Sequence, residues 1–135
     1  MDDRGCRAFA AARALVGVRF RLQGKDAATG LDCVGLVWAA YAAAGVRLVR
    51  PGDYPLRGWP RARVEDSLAA AGFVLVDDEV RVGDVALIAL AAGQFHLALI
   101  GAASVVHAHA GLRRVVETPL GVDVRAAARW RLAER

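Results

Sequence analysis

Two hydrophobic rhythms divide this chain, one helical and one strand-like. Residues 6–16 are alanine-rich, carry Phe9, Leu15 and Val16, and stop at Gly17, which predicts a first helix. Residues 18–24 read as a loop or short extended piece carrying Phe20, and residues 25–30 as a turn. Thr29-Gly30 leads into Asp32-Cys33 and a run without proline that Gly45 closes. That pattern is a helix with a polar residue before its first turn and a glycine stop. Its members Val34, Leu36, Val37, Trp38 and Tyr41 are apolar nearly all round, so the helix belongs inside the domain. Residues 47–60 hold three of the four prolines and form an irregular connection. Residues 61–71 return to helical spacing through Val64, Leu68 and Ala71, closed by Gly72.

From residue 73 the rhythm changes. Short apolar runs at 73–76, 84–90, 96–100, 104–109, 113–117 and 129–132 are punctuated by glycine or charge. Strands in such close succession pair antiparallel. Helices first and strands after make an α+β domain, with one buried helix packed on a mostly antiparallel sheet of about five to six strands. The chain has 135 residues and is 56% hydrophobic, which suits a single domain over residues 1–135 around one core.

Composition narrows the function. The net charge is +4, but Lys25 is the only lysine and the arginines are scattered. Without clustered cations interleaved with aromatics, nucleic acid is not an expected partner. No apolar run reaches the roughly 20 residues of a membrane helix. The acidic start Met1-Asp2-Asp3 does not read as a secretory signal, so the expectation is a protein that is cytoplasmic when made, or exported by another route.

The chemistry on offer is one thiol and three imidazoles. Cys33 falls in the first turn of the inner helix, where backbone N–H groups lack partners and the dipole favours an anion. A thiol there is expected to lose its proton more readily and act as a nucleophile; the plainer alternative is a small packed residue. Asp32 reads as the cap of that helix. His96, His107 and His109 all lie in strand runs. A two-residue turn at Gly101-Ala102 sets His96 opposite His107, whereas a loop over residues 101–104 sets it opposite His109. Period two puts His107 and His109 on one face in either case. Cys33 with these histidines is a poor zinc site, because the close-spaced ligand pairs of such sites are missing. Pairing Cys6 with Cys33 in a disulfide would consume the nucleophile. Asp53, Tyr54 and Trp59 are candidates to line a groove.

These residues resemble a known pattern. Leu31-Asp32-Cys33-Val34-Gly35-Leu36-Val37 is similar to the nucleophile motif of NlpC family cell-wall peptidases, papain-like cysteine hydrolases of bacteria and their phages. Residues 15–20, 82–87, 96–101 and 105–120 resemble further segments of the family, the last being closest to members from phage and gene-transfer-agent tail clusters. The resemblance implies Cys33 as nucleophile, His96 as general base and His107 as the group that orients the base. It implies a peptidoglycan stem peptide as substrate, commonly cut between D-glutamate and a diamino acid, with no cofactor or metal and with tail proteins as possible partners. The family usually has tyrosine where Phe20 stands, and Phe20 cannot donate that hydroxyl hydrogen bond. Phe20, Asp32 and His109 are the candidate substrate contacts.

Overall fold

A computed structural model describes residues 4–21, 24–49, 61–89 and 95–133. Helix α1 (Arg4–Ala14) buries Ala8, Phe9 and Ala12, a stripe at helical spacing. A small hairpin of β1 (Lys25–Asp26) and β2 (Gly30–Leu31) precedes helix α2 (Cys33–Ala43). Helix α3 (Arg61–Ala70) buries Val64 and Leu68. The sheet strands are β3 (Phe73–Val76), β4 (Val85–Ala89), β5 (Phe95–Ile100), β6 (Ser104–His109), β7 (Arg114–Pro119) and β8 (Ala128–Leu132), with a short helix α4 (Val122–Ala126) before the last. The six strands lie in the order β3-β8-β4-β5-β6-β7, with every neighbouring pair antiparallel.

Helix α2 is the axis of the core. Val34, Leu36, Val37, Ala40 and Tyr41 are buried on several of its sides. Against them lie Val85 and Leu87 of β4, Leu97 and Leu99 of β5, Val106 and Ala108 of β6 and Val115 of β7. Tyr41 places its ring edge-on to Phe73 at 5.4 Å and donates its hydroxyl hydrogen bond to the Gly83 carbonyl at 2.6 Å. Tyr41 is thus a core residue that also satisfies a loop carbonyl.

Close backbone approach fixes where α2 begins. A Cβ on Gly35 would sit 1.9 Å from the Gly24 carbonyl oxygen, so only glycine lets the hairpin strap lie against the first turn. The same strap is tied by the Asp32 N–H donating to the Gly24 carbonyl at 3.3 Å.

The opposite face of the sheet carries a smaller cluster, Ala86, Ala98, Ile100 and Val105, covered by Val124 of α4. Neither α4 nor the β1–β2 hairpin is evident in the hydrophobic pattern. One has five residues and the other strands of two, too short for a period to register. Most of the proline-rich connection, including Asp53, Tyr54 and Trp59, lies outside the described residues. Among the described residues no helix is long and apolar enough to cross a membrane.

Candidate active site

Asp32 is extended, with φ −97° and ψ −172°, and its carboxylate accepts the Gly35 N–H at 2.7 Å. It is 4% exposed, and the carboxylate serves as the helix cap. Cys33 follows as the first helical residue, a free thiol that is partly exposed as a residue.

The expected acidification of this thiol does not occur. Burial of the sulfur is the largest influence, the Asp32 charge is next, and together they push the Cys33 thiol up to about 12. The backbone N–H groups of Leu97, Val34 and Cys33 act the other way and lose. The helix dipole at this position is outweighed by two larger opponents, desolvation and a carboxylate one residue away. The influence of Leu97 also locates the sulfur. It lies against the backbone of β5, one residue beyond His96.

The histidine register settles between the two turn readings. Ile100 pairs with Val105 and Leu99 with Val106, the register of a loop over residues 101–104. The Gly101 N–H donates to the Ser104 carbonyl at 2.8 Å to close that loop. Continued along the strands, this register sets His96 opposite His109, yet the side chain that His96 reaches is the diagonal one. His96 Nε2 lies 2.9 Å from His107 Nδ1, with the rings edge-to-face at 5.0 Å. His107 Nε2 in turn lies 3.2 Å from Thr118 Oγ1. The His109 ring lies 5.8 Å from His107, tilted by 48°, and accepts the Leu112 N–H on Nδ1 at 3.0 Å, a bond that closes its own turn.

Burial, then the neighbouring His107 and His109, lower His96 from 6.5 to about 4. Burial and His109 lower His107 as well. At neutral pH the three-ring cluster thus carries no charge on His96 or His107. Each nitrogen must be donor or acceptor, and since Nε2 of His96 is committed to His107, Nδ1 is the nitrogen it has left.

The structure brings the histidines together firmly. It brings Cys33 to the strand that bears His96, but among the described residues no hydrogen bond joins the thiol to that ring. Phe20 sits beside the nucleophile segment through a parallel bridge to Leu31 and donates its N–H to the Arg113 carbonyl at 2.9 Å, with its ring packed against the main core. Thr118 escaped the sequence reading. Its only signal is its register position opposite Val105, which puts it diagonal to His107 once the β6–β7 pairing is known.

Cys33 opens α2 against the backbone of β5, His96 and His107 are joined on β5 and β6, and the NlpC/P60 family matches residues 17–124. The chain belongs to the NlpC/P60 family. Solved structures of the family share its fold. NlpC1 from Trichomonas vaginalis is 18% identical over 94% of this chain and 43% of its own, with a TM-score of 0.67. The NlpC/P60 domain of the peptidoglycan hydrolase SagA is 22% identical over 96% of this chain and 98% of its own, with a TM-score of 0.61. RipD from Mycobacterium tuberculosis, a non-catalytic NlpC/P60 protein adapted to peptidoglycan binding, is 20% identical over 98% of this chain and 100% of its own, with a TM-score of 0.64. This chain therefore spans less than half the length of the Trichomonas protein. No curated protein matches the sequence.

Proposed function

We propose that this NlpC/P60 domain is a cysteine peptidase that hydrolyses an amide bond in the peptide stem of peptidoglycan, between D-glutamate and the diamino acid. The observation that carries this reading is the His96–His107 hydrogen bond of 2.9 Å on the strand against which the Cys33 sulfur rests. It spends Nε2 of His96 and leaves Nδ1 for the thiol.

The resting pair is neutral thiol and neutral imidazole. On substrate binding, His96 Nδ1 takes the proton of Cys33 as the sulfur attacks the amide carbonyl. Charge develops on the carbonyl oxygen, and the N–H groups of Cys33 and Val34 at the start of α2 are the donors at hand to stabilise it. The imidazolium then gives its Nδ1 proton to the leaving amine, the C–N bond breaks, and a thioester to Cys33 remains. Water, deprotonated by His96, attacks that thioester and releases the acid; the sulfur recovers its proton from the same ring. His107 keeps the His96 ring in place throughout, in the manner of the third member of a triad.

A second reading has its own support. Phe20 replaces the family's usual tyrosine, and burial together with Asp32 disfavours the Cys33 thiolate. Both features would suit a module that holds peptidoglycan without cutting it, the role printed for RipD. Delivery by a phage or gene-transfer-agent tail rests on the likeness of residues 105–120 alone. Incubating the wild type and Cys33→Ser with purified muropeptides, and reading the products by mass spectrometry, separates hydrolysis from binding. Stem-peptide fragments from the wild type alone support the peptidase. Equal cleavage by both proteins, or binding without cleavage by both, overturns it.

A further inference from the structure

The His96–His107 bond raises a question of direction that the two rings cannot answer themselves. A neutral imidazole has one donor and one acceptor nitrogen. In one ordering, His96 Nε2–H donates to His107 Nδ1, and Nδ1 of His96 is bare. In the other, His107 Nδ1–H donates to His96 Nε2, and Nδ1 of His96 carries the proton. Only the first ordering provides a base for a thiol.

The reaction proposed above permits only that first ordering at every stage. When His96 waits as a base, its proton is on Nε2. When it is an imidazolium, both nitrogens are donors and Nε2–H still needs an acceptor. His107 must therefore keep Nδ1 bare and its own proton on Nε2 throughout. That proton points at Thr118 Oγ1, 3.2 Å away. Ring rotation is the second hazard. A half-turn about the His107 side chain would replace Nδ1 by a carbon in front of His96, and a bond on the far nitrogen opposes it.

We propose that Thr118 is a positioning residue: as acceptor for His107 Nε2–H it holds both the ring orientation and the proton ordering of the His96–His107 pair. This rests on the hydrolase reading for its kinetic consequence, though not for its structural one. Thr118 is partly buried on β7, which β6 separates from the strand that bears His96. Of the described residues, the hydroxyl is the only partner of His107 Nε2. His109 is committed to Leu112 and does not supply it.

The test compares Thr118→Val, which matches the side chain in shape and suits a strand, with Thr118→Ser, which restores the hydroxyl. Nitrogen-15 NMR of the histidine rings, without substrate, reads which nitrogen of His96 and His107 carries the proton. In the wild type and Thr118→Ser both protons are expected on Nε2. In Thr118→Val each ring becomes a mixture, and kcat on muropeptides falls about tenfold with KM within about twofold, the loss typical of one net hydrogen bond. Unchanged ring protonation and unchanged kcat in Thr118→Val overturn the inference. A Thr118→Val ring mixture in a wild-type background that cleaves nothing upholds the hold on His107 and refutes the hydrolase reading.

Discussion

The reactivity of Cys33 toward an alkylating agent is a quantity that its surroundings fix in advance. An ordinary thiol near 8.5 is about 10% thiolate at pH 7.5, whereas one near 12 is only ~0.003% thiolate. Thiolate supply alone slows Cys33 by about 3,000-fold. A more basic thiolate is also a better nucleophile, and a Brønsted slope of roughly 0.4–0.5 returns some 25- to 55-fold. The net expectation is alkylation by iodoacetamide about a hundredfold slower than a free peptide thiol. The assay follows the peptide bearing Cys33 by mass spectrometry over time, in a Cys6→Ser background. Asp32→Asn sharpens it. Asparagine caps a helix as well as aspartate does, and it removes the charge that ranks second among the causes of the shift, so alkylation accelerates. A Cys33 that reacts as fast as a free thiol near neutral pH, and is indifferent to Asp32→Asn, would refute the neutral-pair account and favour a preformed thiolate–imidazolium pair.

Three further predictions concern stability. His96 falls from 6.5 to about 4 on folding, so between those values the unfolded chain binds a proton that the native one refuses; stability is full above pH 6.5 and drops as pH falls toward 4, by about 3 kcal/mol from this group, and His96→Gln should flatten that part of a urea-melt pH series. Gly35→Ala drives a methyl group into the Gly24 carbonyl and should lower the urea midpoint by about 1–3 kcal/mol equivalent while releasing the hairpin strap from α2, readable as faster hydrogen exchange at residues 24–32. Asp84, 1% exposed, bonds Arg131 Nε at 2.8 Å and Arg129 at 2.9 Å; Asp84→Ala leaves the two cations only the more exposed Asp78 carboxylate and backbone carbonyls and should cost about 1.5–3 kcal/mol in chemical melts, with an unchanged melt refuting the structural role assigned to the acid.

Much of the architecture was legible because long periodic segments announce themselves. Residues 33–43 are apolar on every side, and only an inner helix accommodates that. Alternation in residues 95–109 is enough to place His107 and His109 on one face. Three things were not legible. The hairpin register depended on the loop at 101–104, and Gly-Ala-Ala-Ser admits either turn. Which histidine His96 bonds depended on side-chain reach, so the diagonal partner won over the opposed one. The ionisation of Cys33 depended on how deeply the sulfur is enclosed, a property of the packed whole that no local motif encodes. Thr118 shows the same limit, since its role exists only through β6–β7 pairing.

The most direct test is to quench the wild-type protein rapidly while it turns over a muropeptide, digest it, and weigh the fragment that contains Cys33. A mass increase equal to the acyl half of the substrate, present in the wild type and absent in His96→Ala, is what a sulfur attack assisted by that ring requires. Cleavage that proceeds with no acyl group ever found on Cys33, or an adduct that forms equally well without His96, would contradict it.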